Sequence, residues 1–436
     1  MRSRSRSGPT RILVVGHEAT ASGASLQLLH LLNQWSGRPD LVVEVVLRRG
    51  GVLLPDYRAL SEVSVLTPRW ISRLARIGPL RRRMLGPRPP ADSKAAPPSA
   101  LGRSPGQLLG ILKGPLLDLP MLRLRRLVRR VNPDIVYLNT GLHGDLLSAF
   151  RGRPIVTYLH EQDVLLRRTT FSRHVARLLR RSDVLLASSA AVRDDLAKGR
   201  GLAPERVHVV HPFVPPQIAG HDRESAVAKL RGLCGLGPDG VVVGGCGPLS
   251  WEKDPDCFVE VARLVRERLG PGRVGFVWLG GADDDHARVY LQARVATYGL
   301  DGTVRFLPAR PDAGAFFAGL DVFALVSRTE SFGVVALEAA RESVPIVCFE
   351  APGGAREFVR DDAGFVVPGR DVATLAERVI DLVLDPELRQ RLGRTGAARV
   401  ARAHDVADSA ERVLQLMFSA APGVLLEDHS RAAEVS

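Results

Sequence analysis

The 436-residue chain has little cysteine, few aromatic residues and no long apolar run. Its four cysteines lie in the second half, match no zinc-site spacing and form no dense disulfide framework, so we expect reduced thiols. Aromatic residues make up 5% of the chain, and few are interleaved with basic segments, which argues against a nucleic-acid partner that stacks its bases. No apolar stretch resembles a signal-peptide core or a transmembrane span, which predicts a cytoplasmic protein.

Positive charge is what the sequence has in excess. The 60 lysines and arginines against 47 acidic residues give a formal net charge of +13, which points to an anionic partner. Segment 69–88 holds seven arginines and no acidic residue, with Trp70 and Leu74 among them. Such a segment suits the surface of an anionic membrane, where each cation contributes roughly 1 kcal/mol. We therefore predict peripheral contact with the inner face of a membrane; a solvated loop is the alternative.

The length and the order of apolar segments predict two α/β domains. A buried strand at 11–15 runs through a small-residue loop into an apolar-periodic helix, and the same arrangement starts again at 241–245. The predicted domains are 11–212, with a basic, Pro-rich insertion at 69–118, and 213–404. A final helix is predicted at 405–418, and residues 1–10 and 420–436 are expected to be disordered.

Segment 327–340, SRTESFGVVALEAA, is the most informative stretch. It follows a short apolar run, and from Gly333 onward its apolar residues recur at helical spacing, so a strand, a turn and a helix are predicted. A turn at the carboxyl end of a parallel strand is where α/β sheets bind ligands, and free amides at a helix start suit a phosphate. Glu330 and Glu338 can both face the same crevice and accept from sugar hydroxyls. A nucleotide sugar satisfies both preferences.

A second candidate binding loop, GGCGPLSWEKDPD, follows the strand at 241–245. Gly247 allows the backbone to approach phosphate oxygens, and Lys253 supplies a point charge against the charge that grows on a departing diphosphate. The dinucleotide fingerprint of NAD enzymes fails here, because Ser250 stands where the third glycine would be. In the first half, Gly23 lies in a loop of small residues, and His160 ends a predicted strand where it can face the crevice.

Glu330 and Glu338, separated by seven residues with Phe332 and Gly333 between them, resemble the donor-site signature of the family-4 glycosyltransferases. The loop around Lys253 resembles that family's G-R-L-x-x-x-K-G element. The resemblance extends from about residue 11 to 418. It implies the GT-B fold, in which two Rossmann-like, doubly wound domains face each other across a cleft and the last helix crosses back to the first domain. It also implies transfer of a hexose from a nucleoside diphosphate sugar with retention of configuration, with no metal and no cofactor beyond this co-substrate.

The resemblance also suggests roles for individual residues. Lys253 and the helix start would hold the diphosphate, Glu338 the ribose and Glu330 the hexose. His160 would orient the sugar from the opposite domain, so activity would require closure of the cleft. The predicted catalytic residues are His160, Lys253 and Glu330. The predicted donor-binding residues are Gly23, Gly247, Lys253, Arg310, Glu330, Ser331, Phe332, Gly333, Val334 and Glu338.

No Asp-x-Asp pair stands at a suitable strand end, and we interpret Asp283, Asp284 and Asp285 as a helix start. No metal site is therefore predicted.

Two positions depart from the family pattern. Pro248 stands where an arginine is common, and Asp254 where a glycine is usual. Either Lys253 and the helix amides suffice for the diphosphate, or another arginine such as Arg310 substitutes. A non-catalytic GT-B subunit that binds a nucleotide sugar or stabilises a partner transferase is the alternative function. The acceptor, whether a glycan, a lipid-linked molecule or a small molecule, depends on variable loops of the first domain.

Overall fold

The computed structural model describes residues 8–67, 119–162, 166–167, 172–215, 222–281, 286–310, 313–350 and 353–421. The basic segment 69–88, the whole of the predicted insertion 69–118 and the proposed helix start at 283–285 lie outside these residues. So do residues 1–7 and 422–436 of the predicted disordered termini.

Seven parallel strands form the sheet of the first domain. They are β1 (Thr10–Glu18), β2 (Leu41–Arg49), β3 (Glu62–Val65), β4 (Ile135–Leu138), β5 (Ile155–Leu159), β6 (Val184–Ala187) and β7 (Val207–Val209). Their order in space is β3-β2-β1-β4-β5-β6-β7. Strands β4, β5 and β6 are buried along their whole length, which is why their sequences are apolar without alternation.

Helices cover both faces of this sheet and enclose one apolar core on each side. The described helices are Gly23–Trp35, Leu54–Leu60, 119–131, Ser172–Arg181 and Ala190–Arg200, with short 3₁₀ turns at Gly141–His143, Leu147–Ala149 and Pro204–Arg206.

Six parallel strands form the sheet of the second domain. They are β8 (Val241–Cys246), β9 (Val274–Leu279), β10 (Val304–Leu307), β11 (Val322–Leu325), β12 (Ile346–Phe349) and β13 (Gly364–Val367). The flanking helices are Arg223–Leu233, Pro255–Leu269, His286–Thr297, Gly314–Ala318, Val334–Arg341, Ala355–Val359, Val372–Leu384 and Pro386–Ala403.

The strand order of the second sheet is β10-β9-β8-β11-β12-β13. The order reverses between β8 and β11, and ligands of doubly wound sheets bind outside the carboxyl ends of strands at such a point. The first sheet reverses in the same way between β1 and β4. Both sheets are therefore doubly wound, and the predicted fold class is confirmed.

The last described helix, Val406–Ser419, leaves the second domain and packs on the first. Asp405 caps its start by accepting from the amides of Ala407 and Asp408. Trp35 donates its indole N–H to the carbonyl of Ala410 at 3.4 Å, which joins this helix to the first helix of the chain. Within the described ranges, no helix combines the length and apolar character that crossing a bilayer requires.

Candidate functional site

The turn after β11 is shaped by Gly333, which has a φ of 88° and directly precedes the helix Val334–Arg341. This left-handed conformation favours glycine, and a Cβ at this position would lie 3.1 Å from Leu325. Phe332 is buried, with its ring 5.3 Å from that of His211 and 5.5 Å from that of His404. Its buried side chain therefore anchors the turn.

The structure brings Lys253 and Glu330, 77 residues apart in the chain, into direct contact. The ammonium group lies 2.5 Å from Oε2 of Glu330, and Ser327 donates its hydroxyl to the same oxygen at 3.2 Å. The lysine stem crosses Gly247, where a Cβ would lie 3.0 Å from Cγ of Lys253. The two sequence motifs thus form one site, with a cation suited to a diphosphate beside a carboxylate suited to the attached sugar.

Glu338 lies on the helix that starts at this turn. Burial raises its pKa to about 7, and the nearby Arg341 opposes this shift. Among the described residues, Glu338 has no hydrogen-bond partner, so its oxygens are available to accept from hydroxyls of a ligand. This agrees with the role in ribose binding that the resemblance suggests.

Replacing Glu338 with glutamine is expected to stabilise the protein at high pH. The folded-state pKa of about 7 lies above the ordinary value of 4.5, so ionisation of this buried group destabilises the fold as the pH rises through that interval. We expect Glu338→Gln to raise the melting temperature by several degrees at pH 8 and by much less at pH 5. The same variant should bind a nucleotide sugar about tenfold or more weakly, because a charged acceptor is lost.

Thermal unfolding at both pH values, with Glu377→Gln as the control, measures this effect. Glu377 is exposed on helix Val372–Leu384, so its amide variant should behave like the parent protein. An equal gain at pH 5 and pH 8 would contradict the assignment of the raised pKa to Glu338.

His160 directly follows β5, and its backbone carbonyl accepts from the hydroxyl of Ser331 in the second domain. Its ring packs on Tyr158 at 4.1 Å, and its Nε2 lies 3.2 Å from Oδ1 of Asn139. Burial lowers the pKa of His160 to about 4, so the ring is neutral at pH 7. It is therefore suited to orienting a sugar by a hydrogen bond and not to neutralising a phosphate.

A cavity of about 160 Å³ opens beside His160 in the first domain, at the carboxyl ends of β1, β4 and β5. Glu161 lines it and accepts from the hydroxyl of Thr140 and from the amides of Gly141 and His160, while burial raises its pKa. The polar residues that line the cavity are His17, Glu18, Ser22, Ser25, Tyr57, Asn139, Thr140 and Glu161. A hydroxyl-rich group fits this lining.

Of these cavity residues, the sequence indicated Ser22 and Ser25, which belong to the small-residue loop around Gly23, and assigned no role to the others. The signal was available, since His17–Glu18, Asn139–Thr140 and Glu161 all stand at or just after the carboxyl ends of parallel strands.

The turn that holds Glu330 is hydrogen-bonded to the first domain. Gln162 donates to the carbonyl of Glu330 at 3.1 Å, and Ser189 donates to the carbonyl of Ser331 at 2.7 Å. The hydroxyl of Ser331 donates to the carbonyl of His160. Ser331, predicted to bind the donor, thus links the two domains at the site.

Of two further residues predicted to bind the donor, Gly23 lies close to the helix that follows this turn, whereas, among the described residues, Arg310 does not contact the pair of Lys253 and Glu330. A Cβ on Gly23 would lie 3.8 Å from Val334, so the small-residue loop of the first domain approaches the donor helix. Arg310 is exposed after β10 and, within the described part of the chain, forms no hydrogen bond or ion pair with Lys253 or Glu330.

Glu357 of the second domain caps a helix of the first. Its carboxylate accepts from the amides of Ala190 and Ala191 at 3.0 and 2.8 Å and lies 3.0 Å from Nε2 of His211. Although burial opposes ionisation, these hydrogen bonds give Glu357 a lowered pKa. An acidic group at a helix start is also favoured by the helix dipole.

Glu357→Ala is expected to cost about 1–3 kcal/mol in the free energy of unfolding, because two amides and a histidine lose their acceptor. Since the folded-state pKa is lowered, the carboxylate contributes its stability above its unfolded pKa and loses it as the pH falls through the folded pKa. The cost should therefore be larger at pH 7 than at pH 4.

Denaturant unfolding of Glu357→Ala should be compared with that of Glu411→Ala. Glu411 forms a 2.8 Å surface ion pair with Arg38 and joins the last helix to the first domain, but its loss is expected to cost at most about 1 kcal/mol. Equal costs for the two variants would contradict the role given to Glu357.

Comparisons with known proteins agree with the fold. Residues 238–399 match the family model described as Glycosyl transferases group 1, and residues 61–218 match Glycosyltransferase Family 4. The chain is 30% identical to D-inositol 3-phosphate glycosyltransferase 1 of Catenulispora acidiphila over 315 residues, 66% of this chain and 73% of that protein. It is 34% identical to a D-inositol 3-phosphate glycosyltransferase of Salinispora arenicola over 231 residues, where it spans 50% of that protein.

Solved structures show the same architecture. Anabaena HepE, crystallised with UDP-glucose, superposes with a TM-score of 0.72 at 20% identity, covering 94% of this chain and 99% of that one. Sucrose-phosphate synthase from Thermosynechococcus elongatus gives a TM-score of 0.67 at 17% identity, covering 94% and 98%. At such low identity these similarities show the fold alone.

Two doubly wound domains that meet at the turn holding Glu330, with Lys253 of the loop after β8 in contact with that residue, define a GT-B glycosyltransferase. The chain belongs to the family-4 glycosyltransferases, and the resemblance noted in its sequence is confirmed.

Proposed function

We propose that the protein is an active hexosyltransferase that uses a nucleoside diphosphate sugar, retains the anomeric configuration and needs no metal. The contact between Lys253 and Glu330 carries this proposal, because it sets a cation and a sugar-binding carboxylate side by side at the switch point of the second sheet. Metal independence is supported by Lys253 and the free amides of helix Val334–Arg341, which can together neutralise a diphosphate.

The chemistry asked of the chain is mainly electrostatic. The bond between the anomeric carbon and the diphosphate oxygen breaks, and its electron pair leaves with the diphosphate. An acceptor hydroxyl oxygen bonds to the anomeric carbon, and the proton of that hydroxyl passes to the departing diphosphate. Lys253 and the helix start stabilise the charge that develops on the leaving diphosphate. Glu330 accepts from the hexose, Glu338 from the ribose, and the neutral ring of His160 orients the sugar from the other domain.

The acceptor is proposed to enter the cavity beside His160, where carboxylate and hydroxyl groups suit a hydroxyl-rich glycan, a lipid-linked saccharide or a small polyol. The relatives are named for D-inositol 3-phosphate, which is a compound of this hydroxyl-rich kind.

A thermal-shift screen with UDP-, GDP- and ADP-glucose tests donor binding, because a ligand bound only by the folded state raises the melting temperature. HepE, which shares the fold, was crystallised with UDP-glucose, and this makes UDP-glucose the first donor to test. Transfer from the best donor, followed by NMR of the product's anomeric proton with and without EDTA, then tests retention and metal independence. An inverted product or loss of turnover with EDTA would overturn the corresponding part of the proposal.

Pro248 supports a second candidate, a GT-B subunit that binds a nucleotide sugar without turning it over. The residue is exposed and supplies no cation where the family commonly has an arginine. Donor binding with no hydrolysis or transfer of labelled sugar, under conditions that give a clear thermal shift, would favour this candidate over the enzyme.

We further propose a cytoplasmic protein that contacts anionic membranes at its first domain. Besides segment 69–88, exposed arginines lie on two helices that pack into the same core of the first domain. They are Arg123, Arg125, Arg126 and Arg129 on helix 119–131 and Arg173, Arg177 and Arg180 on helix Ser172–Arg181. Flotation should recover more protein with vesicles that contain phosphatidylglycerol than with phosphatidylcholine alone, and equal recovery would refute the membrane contact.

A further inference from the structure

Asp254, which stands where the family's G-R-L-x-x-x-K-G element usually has its last glycine, is buried at the second-domain site. It is 2% exposed and has a φ of 52° and a ψ of 55°, in the left-handed region. Aspartate tolerates this conformation better than most residues that carry a Cβ. The chain thus keeps a backbone shape suited to glycine and adds a buried negative charge, which requires partners.

Two arginines from other loops hold this carboxylate. Oδ1 of Asp254 accepts from Nη2 of Arg328 at 2.9 Å, and Oδ2 accepts from Nη2 of Arg370 at 2.5 Å. Arg328 lies in the turn after β11 with its guanidinium over Trp251, and Arg370 follows β13 with its guanidinium over Phe349. Asp254 therefore connects three loops at the carboxyl edge of the sheet, namely those that follow β8, β11 and β13.

Backbone hydrogen bonds strengthen the same connection. Nη1 of Arg370 donates to the carbonyl of Ser327 at 2.9 Å, and the amide of Arg328 donates to the carbonyl of Glu252 at 2.7 Å. Lys253 directly precedes Asp254, and Glu330 follows Arg328 by two residues. The two members of the donor-site pair are thus carried by the loops that Asp254 joins.

We propose that Asp254 is a positioning residue that acts through Lys253. Its carboxylate accepts hydrogen bonds from Arg328 and Arg370, which fixes the backbone next to Lys253. The flexible lysine side chain then keeps its ammonium group aligned with the leaving diphosphate. Lysine has a four-carbon stem and no planar fork to fix its direction, so its placement depends on its backbone. This inference rests on the proposed function, since it names what orients the cation of the same site.

Asp254→Asn tests the inference, because asparagine keeps the size of the side chain and tolerates the left-handed backbone. The loss of alignment is expected to lower kcat about 10- to 100-fold with the best donor of the UDP-, GDP- and ADP-glucose panel. The KM for that donor should stay unchanged or fall, since removing a negative charge near a diphosphate does not weaken its binding. The control is Asp256→Asn, a substitution two residues along the chain from Asp254. It breaks a 2.8 Å ion pair between Asp256 and Arg294 and should change kcat less than about twofold.

The same substitution in a Lys253→Met background separates positioning from general damage. If Asp254 acts through Lys253, Asp254→Asn should then cost less than about twofold in single-turnover experiments, whereas independent damage would multiply with the first loss. The positioning role would be overturned if Asp254→Asn kept the wild-type kcat. It would also be overturned if Asp254→Asn lowered kcat by the same factor in the Lys253→Met background as in the wild-type protein. Should Asp254→Asn fail to fold, Arg370→Gln, whose side chain is one third exposed, carries the same comparison.

The two proposals fail in different ways. Lys253→Met with a wild-type kcat would refute the donor-site assignment itself. An impaired Lys253→Met beside an unimpaired Asp254→Asn would refute the positioning role alone.

Discussion

Lys253→Met is expected to lower the kcat of sugar transfer about 10²- to 10³-fold, the loss typical of removing one preorganised group that stabilises a developing charge. Methionine keeps most of the length of the side chain and removes the cation. The ammonium contacts Glu330 and the lysine stem crosses Gly247, at the switch point where a diphosphate would leave. Neutralisation should affect the chemical step more than binding, because the charge on the diphosphate grows as the bond breaks.

Steady-state rates with the donor chosen by thermal shift measure this loss. Lys229→Met is the matched control, because Lys229 is exposed on helix Arg223–Leu233 and its loss should leave kcat unchanged. A Lys253→Met enzyme with parental kcat would remove the basis for placing the leaving group at this site. A parent chain that binds donor but transfers no sugar would instead favour the non-catalytic candidate that Pro248 raises.

Gly353→Ala is expected to lower kcat about 10²-fold without removing any functional group, because displacing reacting groups by about 1 Å can cost that much. A Cβ on Gly353 would lie 1.7 Å from the carbonyl oxygen of Glu330, a contact with backbone that no rotamer change can relieve. The turn that carries Glu330 must therefore move. Its hydrogen bonds to Gln162 and Ser189 of the first domain would be strained at the same time.

Gly232→Ala is the control for this substitution. Gly232 lies in helix Arg223–Leu233 with nothing within 4 Å of an added Cβ, so alanine there should stabilise the helix by about 0.5–1 kcal/mol and leave kcat unchanged. If Gly353→Ala keeps parental kcat and the same donor-induced thermal shift, the placement of Glu330 by this close approach is wrong.

The architecture and the chemistry of the donor site follow from local sequence patterns. Short apolar runs such as 322–326 are buried on both faces of a parallel sheet and show no alternation, while the residues after Gly333 repeat with a helical period. Strand ends of such sheets lie at one edge, so the motifs around Lys253 and Glu330 were expected to share a crevice. Their direct contact, across 77 residues, agrees with that expectation.

Other features could not be inferred, because they depend on which loops meet when the two domains pack. The sequence shows two glycines at 353 and 354, but only the fold places the first against the carbonyl of Glu330. Phe332 was expected in the donor site with its motif, and only the structure shows that its side chain is buried against His211 and His404. No sequence pattern assigned a role to Glu357, and only the structure shows that its carboxylate accepts from the amides of Ala190 and Ala191, at the start of a helix in the other domain.

The sequence by itself determined two doubly wound domains and the residue types of the candidate site, since strand runs, helical periods and loop glycines are local properties of the chain. Only the tertiary structure decided how that site is held together. The bond from Ser331 to the carbonyl of His160 spans 171 residues, and the pair of Asp254 and Arg370 spans 116. Such contacts arise from the relative placement of whole elements, which depends on the packing of both cores and not on any neighbouring residue pattern.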